Sequence, residues 1–291
     1  MGTVRTADAV LHFTRTGGEH PPVVLLHGLT GSSSCWSHLA GKLTNQFDVI
    51  MPDARGHGRS SAPSHGFSYI DHAHDVLELV TELELASPVL AGHSMGGMTA
   101  ALVAQALHPH PRGLILLEPS FLTAAQKQEV RTDRARNDHE ALLQLSLDEI
   151  VAQAQQQHPL RSGAMVQLVC AARAATCPEA FDVLLQPIPD HLALMQSIAV
   201  PVLLVLGEDS PVLSEATVED LCQCTPHLQV EYIGNAGHGV HYDQPERVAE
   251  VVQSFLTSLS AFSPVTVQKA SGNGESLLLD RSSPHTVFQR Q

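Results

Sequence analysis

The sequence has few basic residues. Lysine and arginine number 16 against 30 aspartates and glutamates, which gives a formal net charge of −14. Because no basic cluster is available to hold phosphate groups, this composition argues against nucleic acid as a partner. We expect a small neutral or hydrophobic molecule as the substrate instead, and the sequence leaves the oligomeric state open.

Long apolar runs are absent too. No stretch of about 18 apolar residues is available to span a membrane. The N-terminus also lacks the basic segment followed by an apolar run that is typical of a secretion signal. We therefore expect a cytoplasmic protein without a membrane partner.

Cysteine is scarce as well. The five cysteines are an odd number and lack the repeated spacing of zinc ligands, so we expect free thiols. His72, His74 and Asp75 lie close together in sequence, but no further clustered ligands accompany them. We expect neither a metal site nor a cofactor.

The most informative motif reads Gly-His-Ser-Met-Gly-Gly at residues 92–97, directly after the apolar run 88–91. This pattern predicts a strand that turns sharply into a helix, with Ser94 at the apex. Gly92 and Gly96 lack the Cβ atoms that clash in so tight a turn. An alanine-rich helix is expected to follow, and its N-terminal dipole favours negative charge that forms beside Ser94.

A serine hydroxyl needs a base to accept its proton and donors to hold the resulting oxyanion. His238 lies in a glycine-flanked loop between a predicted strand and a helix that begins with a proline, so we prefer it to His241 as the base. An apolar strand at 22–26 leads into His27-Gly28-Leu29. The backbone N–H groups of Leu29 and Met95 are the predicted oxyanion donors.

The sequence resembles the α/β-hydrolase superfamily over roughly residues 10–260. Four motifs stand in the expected order: the oxyanion loop at 27–28, Asp-Ala-Arg-Gly-His-Gly-Arg-Ser at 53–60, the nucleophile turn at 92–96, and the histidine loop at 237–238. The resemblance implies a serine hydrolase with a mostly parallel central sheet covered by helices on both faces. It also places His27, Gly28 and His93 at the substrate-binding site, with His27 shaping the oxyanion loop and His93 packed beside the nucleophile.

The resemblance leaves the third member of a catalytic triad open. In most members of the superfamily an aspartate follows the seventh strand as Gly-x-x-Asp, whereas this sequence has Ser210 at that spacing and Asp209 one residue early. In a minority the acid follows the sixth strand, and Glu118 stands at the end of that predicted strand. Either carboxylate can orient the imidazole. We favour Asp209 slightly, because a loop easily accommodates a shift of one residue.

The predicted strands fall near residues 9–15, 22–27, 47–52, 88–92, 113–118, 201–206 and 228–233. Between 121 and 195 this rhythm stops, and the sequence offers helical patterns instead, including a capping box at Ser146 and Glu149 and an apolar stripe of Met165, Leu168, Val169 and Ala172. We therefore predict a core at 1–120 and 196–261, a helical cap at 121–195 and a flexible tail at 262–291.

The leading interpretation is a serine hydrolase that cleaves a small carboxylic ester or lactone through an acyl-enzyme on Ser94. Hydrolysis of a thioester, an amide or a carbon–carbon bond beside a ketone uses the same groups and remains an alternative. Because a fold supports many functions, a lyase or decarboxylase and a non-catalytic ligand-binding protein also remain open.

Overall fold

Most strands of the parallel sheet are short, largely apolar runs, and helices separate them along the chain. The computed structural model describes residues 1–130, 133–259, 278–279 and 288–289. Its strands are β1 Gly2–Arg5, β2 Val10–Arg15, β3 Pro22–Leu26, β4 Asp48–Pro52, β5 Val89–His93, β6 Gly113–Leu117, β7 Val202–Gly207, β8 Leu228–Ile233, β9 Leu278–Leu279 and β10 Phe288–Gln289. Strands β1 to β8 form one sheet in the order β1-β2-β4-β3-β5-β6-β7-β8, and β9 pairs with β10. The pairs from β4 to β8 are parallel, while β1 and β2 run antiparallel.

The parallel strands β3 to β7 are buried on both faces, whereas β8 at the edge of the sheet is partly exposed. Successive residues of a strand point to opposite sides, so Val24 and Leu26 of β3 enter one apolar core while Val23 and Leu25 enter the other. Burying one such side chain contributes about 1.5–3 kcal/mol. Strands of this kind require helices on each side of the sheet.

Helices cover both faces. They are α1 Ser37–Leu43, α2 Tyr69–Glu82, α3 Met95–Ala106, α4 Ala124–Val130, α5 Arg134–Leu142, α6 Leu147–Gln157, α7 Gly163–Ala174, α8 His191–Gln196, α9 Glu215–Cys224, α10 Val240–Asp243 and α11 Pro245–Leu259, with short 3₁₀ helices at Ser33–Trp36 and Pro178–Leu184. Helices α2, α3, α8 and α9 pack on one face, and α1 and α11 pack on the other. This architecture is the predicted fold class.

The strand predictions are confirmed to within one residue at each end, although β1 was not predicted. The stretch between β6 and β7 is helical, and the capping box at Ser146 and Glu149 begins α6 as expected. Leu194 and Met195 of α8 belong to the core beneath α3, so this last helix packs on the sheet domain. The division into core and cap otherwise stays a prediction.

Apart from the two short strands β9 and β10, the predicted tail at 262–291 lies outside the described residues. Among the helices that are described, none is both long and apolar enough to cross a membrane. All five cysteines are free.

The topology brings four chain segments to one edge of the sheet. Because β5, β6, β7 and β8 are parallel neighbours, their carboxyl ends meet at the same edge. Ser94 follows β5, Glu118 follows β6, Ser210 follows β7 and His238 follows β8. Side chains that are far apart in sequence therefore converge there.

Candidate active site

The turn between β5 and α3 holds Ser94 in a strained conformation. Its backbone angles are φ 52° and ψ −116°, a region that residues with a Cβ atom rarely adopt. A Cβ on Gly92 would lie 2.1 Å from the carbonyl oxygen of Gly96, and a Cβ on Gly96 would lie 2.2 Å from that of Leu26. These two glycines allow the sharp turn that presents the Ser94 hydroxyl, as the motif predicts.

His238 lies next to that hydroxyl. Its Nε2 atom is 3.0 Å from Ser94 Oγ, and its ring is 40% exposed, so an incoming molecule can reach the pair. The other candidate base, His241, is buried and stacks on the Trp36 ring with centroids 4.5 Å apart. Burial lowers the pKa of His241 to about 3, with the charge of His238 adding to the effect. The preference for His238 agrees with this geometry.

The carboxylate beside His238 belongs to Glu118. Its Oε2 atom is 3.4 Å from His238 Nδ1, and the residue is fully buried. The Gly207 N–H donates to Oε1 at 2.7 Å and the Ser210 hydroxyl donates to Oε2 at 2.6 Å, which offsets the cost of burying the charge. The slight preference for Asp209 is therefore wrong in geometric terms. Asp209 is exposed, because the turn after β7 directs its N–H to the Ala236 carbonyl and leaves its side chain in solvent.

A second hydroxyl lies beside Ser94. Ser120 Oγ is 3.3 Å from Ser94 Oγ, and the Ser120 N–H donates to the Ser94 carbonyl at 3.1 Å. The buried phenol of Tyr69 hydrogen-bonds Ser120, and burial raises its pKa above the usual value. Three hydroxyl groups thus form a chain from α2 to the nucleophile position.

The predicted oxyanion loop packs directly against Ser94. A Cβ on Gly28 would lie 2.8 Å from His93 Nδ1 and 3.1 Å from Ser94 Cβ, so only glycine fits there. Leu29 follows in this loop, and Met95 is the first residue of α3, where backbone N–H groups have no helical acceptor. The positions of both N–H groups suit the oxyanion role, which stays a prediction.

His27 supports this loop from behind. Its Nδ1–H donates to the Gly28 carbonyl at 2.8 Å, and its Nε2 accepts the Ala54 N–H at 2.9 Å. Burial lowers its pKa, which keeps the ring neutral as this bonding pattern requires. Both nitrogens bond the backbone and the residue is buried, which agrees with the expectation that His27 shapes the oxyanion loop; a part for His27 in substrate binding stays a prediction.

His93 has a similar position behind the site. Its Nε2–H donates to the carbonyl oxygen of His238 at 2.8 Å, and the residue is buried. Burial lowers its pKa well below the usual value, and the charges of His241 and His238 lower it further. His93 therefore fixes the backbone that carries His238, which agrees with its expected packing beside the nucleophile; its assignment to the substrate-binding site stays a prediction.

The region between β6 and β7 reaches the histidine loop through one ion pair. Arg161 Nε, which precedes α7, lies 2.6 Å from Asp243 Oδ1, and Asp243 Oδ2 accepts the Gly237 N–H at 3.0 Å. The predicted apolar stripe of α7 packs against Cys35 and Tyr242 beside this pair. The inserted helices thus contact the segment that bears His238.

Sequence reasoning missed several of these groups. The sequence distinguishes Ser210 only by its spacing, Ser120 stands in no motif, and nothing around Arg161 in the sequence indicates that it meets Asp243. Among the described residues, no group of three histidine, cysteine or acidic side chains is arranged to hold a metal ion. Asp75, from the segment weighed as a metal site, instead forms a buried ion pair with Arg55 at 2.7 Å.

Comparison with known proteins agrees with this architecture. A family model described as alpha/beta hydrolase fold matches residues 21–245. The chain is 29% identical over 252 residues to an sn-1-specific diacylglycerol lipase, ABHD11, of Xenopus laevis, covering 82% of this chain and 80% of that protein. It is 24% identical over 256 residues to 2-(acetamidomethylene)succinate hydrolase of Mesorhizobium japonicum, covering 83% of this chain and 90% of that protein.

Among solved structures, an esterase from Exiguobacterium antarcticum superposes with a TM-score of 0.75 at 21% identity, covering 88% of this chain and 100% of that one. At this identity the likeness shows the fold alone. The family match covers most of the chain, and it agrees with the strained serine turn and the order of the strands. The chain therefore belongs to the alpha/beta hydrolase fold family and is a hydrolytic enzyme.

Proposed function

We propose that this enzyme cleaves small carboxylic esters or lactones by nucleophilic catalysis. The observation that carries the proposal is the chain of contacts from Ser94 Oγ to His238 Nε2, and from His238 Nδ1 to Glu118 Oε2. In this arrangement a nucleophile contacts a base that a buried carboxylate orients.

Acylation uses each contact in turn. His238 Nε2 accepts the hydroxyl proton while Ser94 Oγ forms a bond to the carbonyl carbon of the substrate. Glu118 accepts a hydrogen bond from Nδ1–H, which holds the correct tautomer and stabilises the imidazolium. The negative charge on the substrate oxygen is held by the N–H groups of Leu29 and Met95, at the positive end of α3. His238 then donates its proton to the leaving oxygen.

Deacylation repeats the sequence with water. His238 accepts a proton from a water molecule that attacks the acyl carbon, and it returns that proton to Ser94 as the carboxylic acid leaves. The half-exposed His238 ring leaves room for this water. Ser120, 3.3 Å from Ser94 Oγ, is available to hydrogen-bond it.

A neutral acyl group suits the charges around the site. Arg161 reaches the histidine loop, but Asp243 pairs with its guanidinium, so this charge is neutralised within the protein. The α7 stripe beside it is apolar. The relative named as a diacylglycerol lipase supports ester hydrolysis.

The first experiment asks whether Ser94 is activated. A fluorophosphonate probe is expected to label the wild type at Ser94, located by peptide mass spectrometry, and to leave Ser94→Ala unlabelled. Ser64→Ala, which removes an exposed hydroxyl, is the matched control and should label like the wild type. Ser94→Ala should also lower kcat by on the order of 10³ to 10⁶ while the circular dichroism spectrum stays unchanged.

The second experiment identifies the bond. Matched ester, lactone, thioester and amide substrates of one short acyl chain are assayed in ¹⁸O-labelled water. The proposal expects the ester or lactone to be the best substrate, with ¹⁸O in the carboxylic acid product. A labelled Ser94 combined with cleavage that incorporates no ¹⁸O would instead assign a lyase reaction, and a folded wild type that resists the probe would refute the catalytic assignment.

A further inference from the structure

Ser210 makes the closest contact to the carboxylate beside His238. Its hydroxyl lies 2.6 Å from Glu118 Oε2, and the same oxygen is 3.4 Å from His238 Nδ1. The other carboxylate oxygen, Oε1, accepts the Gly207 N–H at 2.7 Å. Oε1 therefore has a donor from the last residue of β7 and Oε2 a donor from the turn after it, and Oε2 is the oxygen that faces the imidazole.

The direction of the Ser210 hydrogen bond follows from its surroundings. The Val212 N–H points to Ser210 Oγ at 3.4 Å, so that oxygen acts as the acceptor on this side. The hydroxyl hydrogen is then free to point at Glu118, which as a carboxylate can only accept. The Ser210 N–H donates to the Gly207 carbonyl at 3.1 Å, which fixes the turn.

The Glu118 carboxylate needs a hydrogen-bond donor to hold it, because the backbone of Glu118 does not by itself orient the side chain toward His238. The residue has a φ of 46°, a left-handed conformation at the end of β6, and its side chain must cross to the end of β7 to meet His238. A fixed hydroxyl donor restricts the carboxylate to one orientation.

We propose that Ser210 is a positioning residue that aims Glu118 at His238 Nδ1. This inference rests on the proposed function, since Glu118 matters only where His238 acts as a base. Ser210 acts through Glu118, so its effect on catalysis must disappear when Glu118 no longer carries a charge.

The test is a double-mutant cycle between Ser210→Ala and Glu118→Gln, read as kcat on the best ester and as the rate at which the fluorophosphonate labels Ser94. In the wild-type background, Ser210→Ala is expected to lower both rates about tenfold with KM unchanged, and Ser210→Thr, which keeps the hydroxyl, to restore most of the loss. In the Glu118→Gln background, Ser210→Ala is expected to cost less than about twofold.

Ser214→Ala is the matched control. Ser214 lies in the same loop, and its hydroxyl caps α9 by accepting the Thr217 N–H at 3.2 Å. Removing this cap should lower the melting temperature without changing kcat. A structural role for Ser210 would resemble this control and would cost the same factor in both backgrounds.

The protonation of His238 can also be measured directly, without catalytic turnover. With ¹⁵N-labelled histidine, NMR reports which nitrogen of His238 carries the proton, and Ser210→Ala should lower the Nδ1–H population. An unchanged kcat in folded Ser210→Ala, or an equal loss in both Glu118 backgrounds, overturns the inference while wild-type labelling of Ser94 keeps the proposed function. A wild type that neither labels nor hydrolyses any ester overturns both.

Discussion

Buried histidines should make the folded state sensitive to mild acid. His72 and His241 are both buried, and each has a pKa of about 3: burial is the main cause in both, aided by Arg55 near His72 and by His238 near His241. In an unfolded chain the same rings have a pKa of about 6.5. Below that pH these two histidines bind protons in the unfolded chain but stay neutral in the folded protein.

The size and sign of the effect follow from linkage. A group whose folded pKa is depressed contributes its stability above the unfolded pKa and loses it as the pH falls from about 6.5 toward about 3. Between pH 7 and pH 5 each of these histidines should cost the folded state about 2 kcal/mol, and together about 4 kcal/mol. His57 and His93, whose pKa values burial also lowers, act in the same direction.

This loss is large against a typical unfolding free energy of about 5–15 kcal/mol. Carboxylates should contribute little in the same window. Burial acts to raise the pKa of Asp53, but hydrogen bonds from the Ser33 and Arg59 N–H groups outweigh it and lower the pKa below 3.8. The stability that Asp53 contributes is therefore lost at lower pH than this experiment reaches.

The measurement is urea unfolding at pH 8, 7, 6 and 5, with the free energy of unfolding obtained by linear extrapolation. His241→Phe keeps an aromatic ring on Trp36 but cannot take up a proton, so its stability should fall about 2 kcal/mol less than that of the wild type between pH 7 and pH 5. His227→Gln is the matched control, because this exposed ring is hydrated in both states. Activity does not replace this readout, since His238 must itself be neutral to act as a base.

Two results would refute the reasoning. A wild-type loss below about 1 kcal/mol between pH 7 and pH 5 would mean that the buried rings accept protons without unfolding. A pH dependence in His241→Phe equal to that of the wild type would remove His241 from the group responsible.

Three further predictions concern catalysis. Glu118→Gln should lower kcat by about 10⁴, because an amide favours the wrong tautomer of the base, whereas Asp209→Asn should keep at least about a tenth of the activity; the reverse order in steady-state assays would return the acid to the loop after β7. Arg161→Ala should lower kcat/KM about tenfold, because the histidine loop loses its ion pair with Asp243. Arg247→Ala, which breaks an exposed ion pair, should leave kcat/KM unchanged. Equal values for the two variants would show that the Arg161–Asp243 pair has no effect on the site. Ser120→Ala should lower kcat about tenfold with little effect on KM, and a wild-type kcat would show that the second hydroxyl does not assist.

The fold was predictable because its signals are local. Each of the parallel strands β3 to β7 is a largely apolar run buried on both faces, and glycine, proline or polar loops separate most of these runs from the helices. Strand β1 was missed, since its four residues at the sheet edge are only partly buried and carry no such pattern. The helical character of the stretch between β6 and β7 also followed from local capping and periodicity, as Ser146 and Glu149 illustrate.

Part of the site was equally local. The role of Ser94 can be predicted from its own turn, because the glycines around it permit the sharp strand-to-helix turn that exposes its hydroxyl. His238 can be read from the glycines that flank it. By contrast, Ser120 and Arg161 act through partners 26 and 82 residues away along the chain, and their meeting depends on packing that no local pattern encodes.

His27 and His93 show a different limit of prediction from sequence. Their positions inside motifs indicated that they belong to the site, but a motif does not tell whether a ring faces the substrate or the protein. Both rings are turned inward by backbone hydrogen bonds, to the Gly28 and His238 carbonyls. The direction of a side chain at a functional loop is thus a property of the assembled loops.

The sequence leaves the carboxylate that orients His238 ambiguous because of how the strands of the sheet are arranged. Strands β6 and β7 are parallel neighbours in register, with Leu117 opposite Val205, so residues just beyond either strand lie near the loop that carries His238. The nucleophile has no such freedom, because the strained turn after β5 is what presents the Ser94 hydroxyl. In this protein the two strand ends have complementary roles, since Glu118 supplies the charge while the last residue of β7 and the turn after it supply donors to both of its oxygens. A carboxylate introduced at position 210 would therefore repel Glu118, and loss of the Ser210 hydroxyl would leave Oε2 without this donor, so the residues at these two strand ends depend on each other.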